Sequence, residues 1–170
     1  MAILTKSGRS AIAQSIKNQQ IHLAWGEGSE SLEKTAESVE SPLSDNLSED
    51  ILATGLVKET GRRLADEVLF VEGDDDGNLI TPTGRFREVD YPTNNLYLRF
   101  TFDFCDASNK TIRELGVFIG TKTKSDLPNG QRYFEINEIT DPGILLLLEK
   151  TVPLIRTAAT RESFSFVITF

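Results

Sequence analysis

The sequence contains few of the residues on which disulfides, metal sites and catalytic sites depend. Its 170 residues include one cysteine and one histidine, so an internal disulfide is impossible and a His/Cys metal site is not expected. Cys105 is predicted to be a buried or half-buried side chain, and His22 a structural or surface residue. The sequence has no Gly-x-Ser-x-Gly, Walker-type, His-Glu-x-x-His or Cys-x-x-Cys motif. These absences predict a protein that is not an enzyme and has no cofactor or metal.

Long apolar runs and an excess of basic residues are also missing. The longest apolar run covers residues 144–148, whereas a membrane-spanning helix needs about 20 residues. The N-terminus lacks a signal-peptide layout, so we expect a protein that is made in the cytoplasm and not inserted into a membrane. The 26 acidic and 18 basic side chains give a net charge of −8, which disfavours nucleic acid as a partner because phosphate binding depends on Lys and Arg.

Two segments alternate apolar and polar side chains with the period of a β-strand. One face of the first segment carries five large apolar side chains, and the C-terminal segment repeats the pattern with four: Leu96, Leu98, Phe100, Phe102 and Phe104, then Phe164, Phe166, Ile168 and Phe170. Such strands need a shared core. The sequence therefore predicts a mainly β (α+β) fold, an antiparallel β-sandwich or partly open barrel, with an N-terminal helix and one further short helix.

The two helices are predicted from cap residues and apolar spacing. The first follows a cap at Thr5 or Ser7 and runs to about Gln19, with an apolar stripe formed by Ala11, Ile12 and Ile16. The second starts near Ser48, and its predicted buried face comprises Ile51, Leu52, Leu56 and Val57. Between them, an acidic and serine-rich excursion at about 27–50 is predicted to be a solvated loop or partly helical segment.

A hairpin is predicted where an acidic turn separates two extended segments. Residues 64–72 and 79–87 form its strands, and residues 73–78 form its turn. The aspartates of this turn invite comparison with a calcium-binding loop. In that register Thr83 occupies the twelfth position, where a bidentate Glu is needed, so turn chemistry is the preferred interpretation.

The segment at 144–148 and the pair Arg113–Glu114 each allow two interpretations. Five consecutive apolar residues suit a strand covered on both faces, or one whose outer face meets another protein. Pro153 confines the following segment to a sheet edge or corner. The alternation of residues 111–120 slips at Arg113 and Glu114, which predicts a bulge or bend there, with the pair serving as a salt bridge or bulge cap.

Three blocks resemble the N-terminal attachment domain of bacteriophage tail-collar fibre and baseplate-associated proteins. Residues 3–13 resemble that family's "LT-x-x-G" start and helix, and residues 21–28 resemble its "A-x-G-x-G" strand and turn. The most specific block, residues 111–118, is similar to the family's "IRE-hydrophobic-G-hydrophobic-F" strand. The structural motif within it consists of Ile112, Arg113, Glu114, Leu115 and Gly116.

The resemblance implies a structural protein of the virion. A β-rich module, here a single domain over residues 1–170, would attach tail fibres at the baseplate or collar of a phage or phage-like contractile tail. Other tail proteins and the fibre would be its partners, in a homo-oligomeric or symmetric multi-copy assembly built in the host cytoplasm. The family's fibre shaft is missing after Phe170, which favours a stand-alone adaptor.

Two surfaces are the candidate partner-binding sites. The first is a turn with the acidic excursion behind it, and the second joins the apolar strand to its neighbour at the C-terminus. The residues concerned are Trp25, Gly26, Glu27 and Gly28, then Ile144, Leu146, Leu148 and Phe170. The second group is equally compatible with a place in the core.

An alternative function is a carbohydrate- or receptor-binding module that contacts the host surface. Such a site would present aromatic side chains in a shallow groove. The candidates for it are Trp25, Tyr91, Tyr97 and Tyr133.

Overall fold

A computed structural model describes residues 1–29 and 50–170 of the chain. Helix α1 spans Lys6–Lys17. The strands are β1 (Ile21–Gly26), β2 (Glu59–Leu64), β3 (Glu67–Gly73), β4 (Leu79–Thr81), β5 (Gly84–Val89), β6 (Asn95–Phe102), β7 (Thr111–Ile119), β8 (Lys122–Thr123), β9 (Tyr133–Glu135), β10 (Ile139–Asp141), β11 (Ile144–Ile155) and β12 (Glu162–Thr169), with a 3₁₀ turn at Ile136–Glu138.

The strands form two five-stranded antiparallel sheets. The first has the order β11-β7-β1-β2-β9 and the second β12-β6-β3-β5-β4, while β8 and β10 form a separate pair. Apolar side chains of both sheets meet in one core. The predicted mainly β, antiparallel fold with an N-terminal helix is confirmed.

The core is built from the inward faces of β1, β6 and β7. Alternate residues of β6 from Leu96 to Phe102 are fully buried, and Trp25 of β1 meets them from the other sheet. The Trp25 and Phe102 rings stack with centroids 3.7 Å apart. Stacking between these two aromatic side chains therefore joins the two sheets.

The apolar face predicted through Phe104 is two residues too long. Strand β6 ends at Phe102, and a turn follows in which the Asp106 N–H donates to the Asp103 carbonyl oxygen (3.1 Å). Phe104 is 45% exposed in this turn, and the Arg161 guanidinium lies 5.5 Å from its ring centroid. Cys105 is exposed as well, so its predicted burial is wrong. The turn ends the alternation that would have directed the Phe104 side chain inward.

Helix α1 begins as predicted, although its buried stripe differs. The Thr5 side chain accepts a hydrogen bond from the Gly8 N–H (3.1 Å), which caps the first turn. Ala13 and Ile16 are the buried residues, whereas Ala11 and Ile12 are exposed. Two positions three apart face the sheets, so the contact is a narrow line along the helix.

The predicted start of the second helix, near Ser48, lies outside the described residues. Asp50 and Ile51 are helical, but the chain leaves the helix by Leu52. Ile51, Leu52 and Val57 are exposed, so the predicted buried face is wrong except at half-buried Leu56. An added Cβ at Gly116 would lie 2.9 Å from a methyl carbon of Leu56, which shows that Leu56 packs on the outer side of the first sheet.

The predicted hairpin has a different strand arrangement. Strand β3 pairs with β5, and β4 pairs with the far side of β5. The acidic turn at 73–78 therefore leads into β4 and not into the direct partner of β3. A tight turn after Thr81, whose hydroxyl donates to the Gly84 carbonyl oxygen (3.1 Å), reverses the chain between β4 and β5.

The predicted irregularity near Arg113 is confirmed. Ile112 and Leu115 both face the core although they are three residues apart. In the neighbouring strand, three residues from 151 to 153 lie opposite Arg113. Strand β11 forms the edge of its sheet and contains Pro153, in agreement with the edge position predicted for this proline.

Candidate partner-binding surfaces

Strand β11 is an apolar edge strand. Ile144, Val152 and Ile155 are 67%, 82% and 71% exposed, and the four leucines at 145–148 are half-buried. Within the described part of the chain, no strand pairs with its outer edge. A long apolar edge with free backbone groups is a surface on which another chain can add.

The predicted residues of the second surface lie on the edges of two different sheets. Ile144, Leu146 and Leu148 belong to β11, while Phe170 directly follows β12, the edge strand of the opposite sheet. The Phe170 N–H donates to the Asn94 carbonyl oxygen (2.9 Å), and its half-buried ring packs against the core. Leu146 also packs against the core. Leu146 and Phe170 therefore contribute to the core, whereas the largely exposed Ile144 is available to a partner.

A groove runs between β11 and β12 at this open side of the sandwich. Its volume is about 600 Å³. Its lining comes from the two edge strands, from one core residue of β7, and from β4 with the turn that follows it: Leu147, Glu149, Thr151, Ser163, Phe164, Ser165, Phe166, Val167, Leu115, Ile80, Pro82 and Thr83. Its lining side chains are mostly apolar or carry hydroxyl groups.

Glu149 is the one charged residue in the groove lining. It is exposed, and among the described residues it has no ion pair. The next residue, Lys150, pairs with Asp50. Successive residues of a strand face opposite sides, so Glu149 contributes a negative charge to the groove side of β11.

The first predicted surface, the turn at residues 25–28, is mostly buried. Trp25 is fully buried, and Gly26 and Gly28 are buried with it. Glu27 is half-buried and its carboxylate lies 2.8 Å from the Lys110 ammonium nitrogen. A partner that contacts this turn would therefore meet Glu27 and Lys110, whereas the Trp25 ring contributes to the core.

The Arg113–Glu114 pair holds the two ends of the segment between β1 and β2. The Arg113 Nη1 donates to the Glu27 carbonyl oxygen (3.0 Å). The buried Glu114 carboxylate accepts from the Val57 N–H (2.7 Å). The Gly28 N–H also donates to the Val57 carbonyl oxygen (3.0 Å). Both of these contacts are to backbone groups, so the pair joins the two ends of the segment.

Gly28 is required where the two ends meet. Its φ of +66° lies in the left-handed region, and an added Cβ would lie 3.0 Å from the Arg113 Cβ. The glycine lets the chain turn against the Arg113 side chain. The A-x-G-x-G block and the IRE block, far apart in sequence, are thus parts of one contact.

Buried arginines are the feature that the sequence interpretation missed. Arg62 is almost fully buried and donates to both Glu59 carboxylate oxygens (2.6 and 3.1 Å), with its guanidinium 3.6 Å from the Phe118 ring centroid. Burial, with Arg62 and Arg132 nearby, lowers the pKa of His22 to about 4. His22 is therefore neutral in the fold at neutral pH. Nothing in the local sequence distinguishes Arg62 from an arginine on the surface.

The aromatic residues considered for carbohydrate binding are mostly internal. Trp25 and Tyr97 are buried, and burial raises the pKa of Tyr133 to about 12. Tyr91 is 47% exposed. These four side chains do not present a shared aromatic surface, so no observation favours the alternative function.

Residues 1–29 and 50–170 contain no group of three or more His, Cys, Asp or Glu side chains placed to hold a metal ion. No helix among the same residues is long and apolar enough to cross a membrane.

The fold and its surfaces define a β-sandwich protein whose candidate sites are strand edges and a turn. A family model described as "Baseplate wedge 3 tail fiber network component" matches residues 1–170. The chain belongs to this family and is a structural component of the phage baseplate and its tail fibre network, located in the virion tail. The resemblance to baseplate and tail-fibre proteins is therefore confirmed, and a structural family is consistent with a non-enzymatic role. A comparison with curated proteins gives no match.

Proposed function

We propose that this protein is an adaptor that attaches tail fibres to the baseplate through protein–protein contacts. Its family supplies the setting. The observation that carries the proposal is the apolar edge strand β11, whose exposed side chains Ile144, Val152 and Ile155 have no covering element among the described residues. Exposed apolar patches of this kind mark interaction sites.

The mechanism is rigid display in many copies. Stacked aromatic rings and one continuous core hold both sheets in a fixed relation, so the two candidate surfaces keep a constant spacing. Symmetric copies, assembled in the host cytoplasm, convert modest single contacts into a persistent attachment. One domain spanning residues 1–170 suffices for this role.

The two surfaces have separate roles in this proposal. The edge formed by Ile144, Leu146 and Leu148, together with Phe170, contacts one partner. The turn at residues 25–28 contacts the other through Glu27, with Trp25, Gly26 and Gly28 holding the turn in place. The first contact is mainly apolar and the second is polar.

The test is incorporation into purified tails. The protein should co-purify with baseplate and fibre proteins at a fixed stoichiometry, and Ile144→Asp combined with Val152→Asp should reduce incorporation at least tenfold. Ile136→Asp is the matched control, because Ile136 is an exposed isoleucine (44%) on the 3₁₀ turn. A wild-type protein that never joins particles, or equal losses in both variants, would contradict the proposal.

A further inference from the structure

The groove between β11 and β12 has the features of a binding site for an extended chain. Both strands end their sheets, and the lining includes the core residue Leu115, so the interior of the sandwich reaches the surface here. Its volume of about 600 Å³ is within the range of about 300–1,000 Å³ for ligand pockets. Eight of its twelve lining residues belong to these two edge strands, as expected of a site that receives an extended chain.

Strand β12 is the better template of the two edges. It pairs with β6 through eight consecutive residues without a register shift. Strand β11 has two register shifts and contains Pro153, which lacks an N–H. A regular ladder on one side keeps the backbone groups of the other side in a regular repeat. Strand β4 approaches part of this edge across the groove, and the rest of β12 can accept a further strand.

We propose that this groove receives an extended segment of a baseplate or fibre protein, which adds to the outer edge of β12 and places a Lys or Arg against Glu149. Alternate apolar side chains of the segment pack towards Leu115, Phe164 and Phe166. The inference rests on the proposed function, because it names the chemistry of the partner at one of the adaptor's surfaces.

The charge of Glu149 determines which kind of chain fits the groove. Glu149 is the single charge in the groove and has no ion pair among the described residues. A second copy of this chain has a net charge of −8, and the chain's own segment at 30–49 is acidic, so both bring repulsion to Glu149. A basic partner segment supplies the missing counter-charge and gains specificity from it.

The first experiment maps contacts in assembled tails. Tails are built with a photo-crosslinking benzoylphenylalanine in place of Ser165 or Thr151, in the groove, or of Arg85, an exposed β5 residue, as the control. Groove positions should crosslink to one short segment of another tail protein, with alternating apolar residues and a Lys or Arg. Crosslinks to a second copy, to residues 30–49, or equally from Arg85 would overturn the inference.

The second experiment tests the charge. Glu149→Lys should reduce incorporation into tails about tenfold, and Glu149→Gln less, while Glu88→Lys, an equal charge change at an exposed β5 residue, should have little effect. Replacing the basic residue of the crosslinked partner segment with Glu should restore the incorporation of the Glu149→Lys variant into tails. Equal losses from both lysine variants would overturn the inference. Thermal unfolding of each variant shows whether its fold is intact.

The two proposals fail in different ways. If the wild-type protein joins tails but the groove positions give no crosslinks, the groove inference is wrong and the adaptor function stands. If the wild-type protein does not join tails at all, the adaptor function is wrong. The experiments therefore separate the site from the function.

Discussion

Arg156 shows how a single buried charge can organise several loops. Its side chain is completely buried, and its guanidinium donates to the carbonyl oxygens of Asp103 (2.6 Å), Asp106 (3.2 Å) and Thr160 (3.0 Å). It also lies 5.0 Å from the Trp25 ring centroid. The arginine therefore joins the turn after β6 to the turn before β12.

Replacing Arg156 should be costly. Arg156→Met leaves three carbonyl oxygens without their donor, and we expect a loss of about 3 kcal/mol in the free energy of unfolding. Arg161→Met removes an exposed arginine that pairs with Asp103 (3.0 Å) and should cost less than about 1 kcal/mol. Urea unfolding measures both. Equal effects would show that the buried contacts do not stabilise the fold.

His22 should make the protein sensitive to acid. Its pKa is lowered to about 4 from 6.5 in the fold, so below pH 6.5 the unfolded chain binds a proton that the folded chain excludes. The stability due to neutral His22 is complete above pH 6.5 and declines as the pH falls towards 4, by about 3 kcal/mol in total.

The measurement is urea unfolding at pH 7.5 and pH 4.5 for the wild type and His22→Leu. Wild-type stability should fall further between these values than that of the variant, which lacks the titrating group. Carboxylates such as Asp103, whose pKa is lowered by its hydrogen bond to Arg161, contribute equally to both proteins. The same pH slope in both would contradict the assignment.

At the scale of elements, the end of β6 separates two phenylalanines that share one alternating pattern. Phe102→Ala should destabilise the protein by about 3–5 kcal/mol, because it removes a buried ring that stacks on Trp25. Phe104→Ala should cost less than about 1 kcal/mol because its ring is half exposed. Thermal or urea unfolding distinguishes them. Similar losses would place Phe104 on the core face after all.

Loss of the contact between the A-x-G-x-G and IRE blocks should mainly affect the residues that form it. Glu114→Ala removes the acceptor of the Val57 N–H, so this amide and that of Gly28 should exchange their hydrogens faster, with a global loss of about 1–3 kcal/mol. Glu114→Gln keeps a carbonyl oxygen and should lose less protection. Hydrogen exchange measures both, and unchanged protection in Glu114→Ala would refute the role.

Element-level prediction succeeded where a residue's neighbours in sequence are also its neighbours in space. The Thr5 cap, the alternation of β6 as far as Phe102 and the irregularity at Arg113 are of this kind. It failed at residues 79–87, which were predicted as one strand but form β4 and the start of β5 with a turn between them, and only sheet pairing decides which of the two lies next to β3.

At the scale of the whole molecule, the two sheets should unfold as one unit. The single tryptophan lies between the sheets, so its fluorescence reports their separation, while far-ultraviolet circular dichroism reports the strands. Both signals should change at the same urea concentration. Two separated transitions would contradict a single domain over residues 1–170.

The sequence by itself determined the fold class, the cap of the N-terminal helix and the family, because alternation, capping and short motifs are properties of neighbouring residues. The tertiary structure alone decided that β11 and β12, consecutive in the chain, end opposite sheets. It also decided that Trp25 is internal, that Arg156 is buried and that Glu149 lies in a groove. The order of strands in a sheet depends on contacts between distant residues, which the pattern of one strand does not specify.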